Sequence, residues 1–156
     1  MNKLIQQGEK GKRFLLKDNR GKDVQLSDFK GKKVLLSFHP LAWTSICAEQ
    51  MKALEKNKEK FDLLNTVALG LSIDTVPSKN AWAKTLGIQN TQLLCDFWPH
   101  GKIAKAYGLF REVDGFSERA NIILDEKHQV IFVKVYPIAQ LPDLEEIFKI
   151  LLSSKG

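Results

Sequence analysis

The chain has few cysteines, few histidines and no long apolar run, and each shortage excludes a class of protein. Cys47 and Cys95 are too few for the disulfide framework of a small secreted domain. The three histidines stand singly, so no zinc-ligand spacing is present and we expect neither a metal nor another cofactor. No segment approaches the about 20 apolar residues of a membrane helix, and the start lacks the apolar core of a signal peptide. We therefore expect a cytoplasmic protein with no membrane partner.

An excess of acidic residues is also absent, since the formal net charge is +6. This charge lies in residues 1–33, where ten Lys and Arg face four Asp and Glu, and the remaining residues are balanced. Glycine–lysine pairs at Gly11, Gly21 and Gly31 are typical of solvated turns, and no nucleic-acid-binding motif is present. We expect no nucleic-acid partner. The alternative is a basic interaction module, which would bind nucleic acid with a steep salt dependence.

Strand and helix patterns alternate along the chain, with no linker or internal repeat. Residues 13–29 predict an N-terminal β-hairpin that turns at 19–22, where Asn and Gly supply the unusual backbone angles. A continuous apolar strand at 32–39 precedes one long helix over 45–65. Two further strand–helix units, a strand hairpin and an amphipathic helix follow. This order predicts an α/β fold with a mixed central sheet, helices on both faces and one domain over residues 1–156.

The run HPLAWTSIC, residues 39–47, places a thiol in the first turn of the long helix, directly after the buried strand. Unpaired backbone N–H groups and the positive end of the helix dipole favour a thiolate there, and the thiolate is the nucleophilic form of cysteine. Thr44 lies at or next to the N-cap, where its hydroxyl can face the sulfur and either donate a hydrogen bond to it or accept one from a bound substrate. Pro40 stiffens the loop and shields the site from water. Taken singly, however, Cys47 is equally a small buried residue, Thr44 an ordinary cap and Pro40 a strand terminator.

In combination these residues resemble a known family. PLAWTSIC matches the P-x-x-x-T/S-x-x-C signature of the peroxiredoxins, the thiol peroxidases of the alkyl hydroperoxide reductase and thiol-specific antioxidant family. GKKVLLSFHP, LLCDFWPHGKIAKAYGLF and ERANIILDEKHQV are similar to further segments of that family, in the same order, so the resemblance covers nearly the whole chain. It implies a thioredoxin-like fold and a thiol-dependent peroxidase. Such an enzyme reduces hydrogen peroxide and organic hydroperoxides through a cysteine sulfenic acid, here at Cys47.

The resemblance also implies a role for each site residue. Cys47 takes the place of the peroxidatic cysteine, Thr44 that of the hydroxyl residue, Pro40 that of the shielding proline and Arg119 that of the active-site arginine. A thiolate would attack the nearer peroxide oxygen while Arg119, Thr44 and backbone N–H groups stabilise charge on the departing one. The alternative, favoured when the resemblance is set aside, is that Arg119 is a surface charge opposite Glu118 or Glu112.

Two positions bear on how far the family pattern extends. Gln50 stands where many relatives carry a glutamate in the arginine network, although an amide oxygen can still accept a bond from a guanidinium. The usual positions of a resolving cysteine are empty, so the chain is most similar to one-cysteine members, which an external thiol or a thioredoxin-like protein reduces. Cys95 is either a resolving cysteine for Cys47 or a packed, unreactive strand residue.

The same residues also bear on two alternatives to a peroxidase and on the predicted assembly. A disulfide oxidoreductase of the thioredoxin kind needs C-x-x-C, and Thr44 stands where the first of those cysteines belongs. A peroxide sensor or redox-regulated interaction protein would use the same oxidation of Cys47 but would stop near one equivalent of peroxide. The apolar loop at residues 41–43 predicts a homodimer interface beside the site; alternatively, Trp43 and Trp98 cover the edge of the pocket.

Overall fold

The computed structural model describes residues 3–154. These residues form nine strands: β1 (Leu15–Asp18), β2 (Asp23–Gln25), β3 (Lys33–Phe38), β4 (Thr66–Ser72), β5 (Gln92–Cys95), β6 (Phe110–Arg111), β7 (Phe116–Ser117), β8 (Arg119–Leu124) and β9 (Val130–Tyr136). The same residues form five α-helices: α1 (Ser45–Lys56), α2 (Lys58–Leu63), α3 (Val76–Leu86), α4 (Lys102–Ala106) and α5 (Leu144–Ser153). A short 3-10 helix, Leu26–Phe29, follows β2. No helix within residues 3–154 has the length and apolar character needed to span a bilayer.

Seven of the described strands form one sheet in the order β2-β1-β5-β4-β3-β8-β9. The three central strands β5, β4 and β3 pair in parallel, and every other neighbouring pair is antiparallel. Parallel neighbours need a crossover connection, and α1 with α2, and then α3, supply it here. The predicted mixed sheet and N-terminal hairpin are therefore confirmed.

The sheet separates two buried apolar clusters. Successive side chains of a strand point to opposite faces, so β3 serves both clusters and all six of its residues are buried. Val34, Leu36 and Phe38 pack on the face that α4 covers, whereas Leu35 packs on the face that α1, α3 and α5 cover. Helices thus lie on both faces, as predicted. Cys47 and Trp82 belong to the second cluster.

The single long helix predicted over residues 45–65 is wrong, because the chain forms α1 and α2 with a break at Asn57. The Asn57 backbone N–H donates to the carbonyl of Ala53, and its side-chain Nδ2 donates to the same oxygen at 2.8 Å. An asparagine side chain that takes a backbone carbonyl competes with helix continuation, which an apolar pattern alone does not reveal. After the break Phe61 packs on Phe148 of α5, with the ring centroids 4.9 Å apart.

Gly108, two residues after α4, is the tightest backbone approach that a substitution can test. Its φ is +76°, and an added Cβ would clash with the Lys3 carbonyl and lie 2.5 Å from the Cα of Leu4. Gly21 has a similar φ of +82° but no atom within 4 Å of such a Cβ. The two glycines therefore separate backbone strain from steric clash.

We expect Gly108→Ala to lower the free energy of unfolding by about 2–4 kcal/mol, since left-handed strain costs about 1–2 kcal/mol and overpacking adds a similar amount. Gly21→Ala, the matched control, should lose only the strain. Urea denaturation followed by circular dichroism measures both values. Equal losses in the two variants would show that the N-terminal segment moves away from the added Cβ without a cost in stability.

Candidate active site

Cys47 is the third residue of α1 and its side chain is fully buried. The helix follows β3 after a short loop, and Thr44 occupies the N-cap with extended backbone angles. The first backbone N–H groups of a helix have no partner within the helix, so they leave positive potential around the sulfur. Nη1 of Arg119 donates a hydrogen bond to Sγ at 3.3 Å. The thiol thus lies between a helix start and a guanidinium.

Arg119 begins β8 and is only 2% exposed. Besides Cys47, its Nη1 donates to Oε1 of Gln50 at 2.7 Å and its Nε donates to the Ile138 carbonyl at 2.8 Å. The surface-charge reading is wrong, because the neighbouring Glu118 bonds Arg111 instead. No carboxylate within residues 3–154 forms a hydrogen bond or an ion pair with Arg119. A Cys47 thiolate would therefore be the anion that contacts this buried guanidinium.

Gln50 lies one turn after Cys47 and connects the arginine to β3. Its Oε1 accepts from Arg119, and its Nε2 donates to Oγ of Ser37 at 2.8 Å and to the Phe38 carbonyl at 3.1 Å. Two acceptors on one side and a guanidinium on the other fix the orientation of the amide. Ser37 was not anticipated, although a single hydroxyl in the apolar strand VLLSF was the available signal.

A cavity of about 350 Å³ lies beside this network. Pro40, Thr44 and Arg119 line it together with apolar side chains, and the full set of apolar lining residues besides Pro40 is Leu41, Ile46, Phe116, Ile138 and Ala139. Arg119 both lines the cavity and bonds the sulfur, so it connects the open space to the buried thiol. A larger cavity of about 640 Å³, around Phe14 and His128, lies at the opposite end of the sheet and contains none of these residues.

The hydrogen bond of the Thr44 hydroxyl favours one of the two roles expected for it, that of an acceptor for a bound substrate. Its Oγ1 donates to the Leu41 carbonyl at 2.9 Å rather than to the sulfur of Cys47. The short loop from residues 40 to 44 brings that carbonyl within reach of the cap. Since the hydroxyl proton is committed, the oxygen faces the cavity as an acceptor. Thr44 is therefore placed to accept a hydrogen bond from a bound molecule.

Asp74 holds the same loop from the side of β4. Its Oδ2 accepts from the Ala42 backbone N–H at 2.9 Å and from the Ser72 hydroxyl at 2.6 Å. Trp43 has a φ of +69°, a conformation that L-residues rarely adopt, and its Nε1 donates to Oγ of Ser78 at 2.9 Å. These contacts fix the loop between Pro40 and Thr44.

Cys95 ends β5, where it pairs with Ser72 of β4. Strand β4 lies between β5 and β3, the strand that leads to Cys47. Burial raises the pKa of Cys95 to about 11, so this thiol is protonated and weakly nucleophilic at neutral pH. Both cysteines are free. This environment favours the interpretation of Cys95 as a packed, unreactive strand residue over its interpretation as a resolving cysteine.

A buried pair that the sequence did not predict lies beside the site: Nζ of Lys79 is in contact with Nε2 of His39. Lys79 stands three and four residues before Trp82 and Ala83, which face the core from α3. That spacing places a lysine on a buried helix face, and it was the signal available in the sequence.

Residues 7–133 match the AhpC/TSA family. The chain belongs to this family. A protein named Alkyl hydroperoxide reductase E, from Mycobacterium tuberculosis, is 34% identical over 110 residues, which cover 70% of this chain and 71% of that protein. A protein named Peroxiredoxin, from Hyperthermus butylicus, is 31% identical over 125 residues, which cover 76% of this chain and 53% of that protein.

Solved structures of relatives agree with the fold. The reduced 2-Cys peroxiredoxin of Plasmodium vivax has a TM-score of 0.85 at 30% identity, and the match covers 92% of this chain and 79% of that one. AhpC of Enterococcus faecalis has a TM-score of 0.88 at 21% identity, covering 96% of this chain and 92% of that one, and it shows the shared fold. The thioredoxin-like fold expected of an AhpC/TSA protein is therefore confirmed.

In this AhpC/TSA protein, Gln50→Glu tests whether the neutral hydrogen-bond partner of Arg119 affects the rate of the reaction with peroxide. The new carboxylate would share the guanidinium charge with Cys47 and would oppose the Phe38 carbonyl, which now accepts from Nε2. We expect the second-order rate constant for peroxide to fall about tenfold, or about 1.4 kcal/mol of transition-state stabilisation. Stopped-flow tryptophan fluorescence during a single turnover measures it.

Gln129→Glu is the matched control, because Gln129 is exposed and the substitution adds the same charge away from the site. It should react at the wild-type rate. An unchanged rate in Gln50→Glu would mean that the charge balance at Arg119 does not limit the reaction.

Proposed function

We propose that this chain reduces hydroperoxides at Cys47, with Arg119, Thr44 and Pro40 forming the rest of the site. Thiol-dependent peroxidase activity follows from membership of the AhpC/TSA family and from relatives named peroxiredoxin and alkyl hydroperoxide reductase. One observation carries the assignment to these residues, namely the 3.3 Å contact between Arg119 Nη1 and Cys47 Sγ at the first turn of α1.

The reaction begins with the Cys47 thiolate, which the helix start and Arg119 stabilise. The Thr44 oxygen accepts a hydrogen bond from the O–H of the hydroperoxide and so orients the proton-bearing oxygen toward the sulfur. Sulfur forms a bond to that oxygen as the O–O bond breaks, which oxidises the thiolate to a sulfenic acid and reduces the peroxide. The second oxygen departs as an alkoxide or hydroxide and takes up a proton. Arg119 stabilises the charge on the departing oxygen.

The cavity supports organic hydroperoxides as substrates in addition to hydrogen peroxide. Its lining is mainly apolar, with Ile46 and Phe116 among the residues that would contact an alkyl chain. Pro40 is buried in its wall and lacks a backbone N–H, so it presents no donor to water. An apolar lining excludes water from the reacting atoms and strengthens their electrostatic interactions.

We further propose that an external thiol or a thioredoxin-like protein reduces the sulfenic acid. The protonated state of Cys95 and its position beyond β4 support this, because neither favours rapid attack on Cys47. A peroxide sensor is the second candidate function. The lined cavity favours an enzyme, and repeated consumption of peroxide with added dithiothreitol would distinguish the enzyme from the sensor.

A homodimer is the proposed assembly. Trp43, Phe97 and Trp98 are large apolar side chains that are 54%, 46% and 79% exposed in one chain. Aromatic residues are enriched at protein interfaces, so their exposure supports self-association. Sedimentation velocity at several concentrations tests it. A cytoplasmic location and a single domain over residues 1–156 stay predictions.

Peroxide consumption by the wild type, Cys47→Ser and Cys95→Ser tests the central proposal. We expect Cys47→Ser to lose at least about a thousandfold in rate, because a serine hydroxyl is not ionised at neutral pH. Cys95→Ser should retain its rate within about twofold. Dithiothreitol serves as the reductant in all three assays.

The intact mass of the protein after one equivalent of peroxide shows which oxidation product Cys47 forms. A gain of one oxygen is expected, as for a stable sulfenic acid. A loss of two hydrogens, together with slow turnover in Cys95→Ser, would instead make Cys95 the resolving residue. Full activity in Cys47→Ser would contradict the assignment of the site.

A further inference from the structure

The two-stranded ribbon of β6 and β7 contributes one side chain to the cavity of the candidate active site, and its two faces have different surroundings. Phe110 pairs with Ser117 across the ribbon, and Arg111 pairs with Phe116. Paired side chains share a face and successive residues alternate between faces, so the two pairs face opposite ways. Phe110 packs against one of the two buried apolar clusters, whereas Phe116 lines the cavity. Arg111 therefore lies on the same face of the ribbon as the Phe116 ring.

Arg111 contacts that ring with a guanidinium whose position is fixed. Its Cζ is 5.8 Å from the centroid of the Phe116 ring, which is within the range of a cation–π contact. Nε donates to Oδ2 of Asp114 at 2.6 Å, and Nη1 donates to Oε1 of Glu118 at 3.0 Å. Asp114 lies in the turn of the ribbon and Glu118 directly follows β7. The planar guanidinium is thus held from both ends of the ribbon while it covers the ring.

The ribbon itself is anchored independently of this guanidinium. Nε2 of His100 donates to the Gly115 carbonyl at 2.6 Å, since a carbonyl oxygen can only accept. At the other end, the Glu118 backbone N–H donates to the Leu109 carbonyl at 2.8 Å. Loss of the guanidinium should therefore release the Phe116 ring and leave the ribbon in place.

The two kinds of hydroperoxide differ in whether they reach this ring. Hydrogen peroxide has only two oxygen atoms, and the reaction proposed above places both of them among Cys47, Thr44 and Arg119. An organic hydroperoxide carries the same two oxygens on an apolar group, which must extend into the rest of the cavity. Phe116 belongs to that apolar lining. A ring that is already fixed contacts the apolar group without the entropic cost of being ordered on binding.

We propose that Arg111 is a positioning residue that fixes the Phe116 ring as a wall of the cavity and thereby raises the reactivity with apolar organic hydroperoxides relative to hydrogen peroxide. The proposal rests on the peroxidase function proposed above. Arg111 is not among the described residues that line the cavity, so it acts through the ring rather than on the substrate. The chemistry at the sulfur is the same for both substrates. Only the contribution of the apolar group therefore depends on this pair.

Second-order rate constants for cumene hydroperoxide and hydrogen peroxide test the proposal, measured by stopped-flow tryptophan fluorescence in a single turnover. Arg111→Met keeps an unbranched apolar side chain and removes the guanidinium. We expect its rate constant for cumene hydroperoxide to fall about three- to fivefold, the factor that matches the loss of a cation–π contact at the protein surface. Its rate constant for hydrogen peroxide should stay within about 1.5-fold of the wild type. Phe116→Ala should lose about tenfold with cumene hydroperoxide.

Arg111→Met combined with Phe116→Ala shows whether the arginine acts through the ring. The double variant should react with cumene hydroperoxide as slowly as Phe116→Ala alone, because the contact is already absent. Lys58→Met is the matched control, since it removes an exposed ion pair with Asp62 on α2 and should react like the wild type with both substrates. The proposal is overturned if Arg111→Met slows both substrates equally or neither, or if the double variant loses more than Phe116→Ala.

Binding of 2-phenyl-2-propanol, the alcohol product of cumene hydroperoxide, gives a readout that needs no turnover. Titration followed by NMR should show a Kd about three- to fivefold weaker in Arg111→Met, with Lys58→Met equal to the wild type. An equal Kd in Arg111→Met and the wild type would contradict the role of Arg111. Normal peroxide consumption with a substrate ratio independent of Arg111 contradicts this proposal alone. A wild-type protein that consumes no peroxide, yet binds the alcohol as expected, contradicts only the peroxidase.

Discussion

The contact between Arg119 and Cys47 is the interaction on which the site depends. A guanidinium at the start of β8 is buried against a thiol in the first turn of α1, and it also donates to an amide oxygen and a backbone carbonyl. A buried cation is costly unless it is paired, so the protein gains most from this arginine when the sulfur is ionised. The fold supplies the pairing by placing β3 beside β8, since the loop after β3 leads into α1.

A neutral network distinguishes this site from one built on a carboxylate. Gln50 accepts from Arg119 without neutralising it, and the amide protons that a carboxylate would not carry go to Ser37 and Phe38. The Ser37 hydroxyl on β3 and the Gln50 amide on α1 therefore form one hydrogen-bonded unit. With no second anion among residues 3–154 bonded to the guanidinium, its full charge is available to the sulfur and then to the departing oxygen.

Local patterns predicted the parts of this structure that follow from burial. The apolar run before His39 predicted a central strand, and the position of Cys47 after it predicted a thiol at a helix start. Arg119 could be assigned only through resemblance, because a contact across 72 positions leaves no local trace. The break at Asn57 and the direction of the Thr44 hydroxyl depend on single competing hydrogen bonds, which periodicity does not encode. Lys79 was visible by its spacing to Trp82, but its partner on β3 depends on tertiary packing.

The bond from Arg119 Nε to the Ile138 carbonyl limits how the loop between β9 and α5 can vary. Surface loops usually tolerate insertions and deletions, because few of their backbone groups are engaged in the interior. Here one backbone oxygen of the loop sets the position of the guanidinium that holds the sulfur. A residue added or removed between Tyr136 and that oxygen would displace it by up to a full residue length, about 3.8 Å, and would take the arginine with it. This loop is thus a spacer of fixed length, and grafting or lengthening it is a poor route to engineering the enzyme.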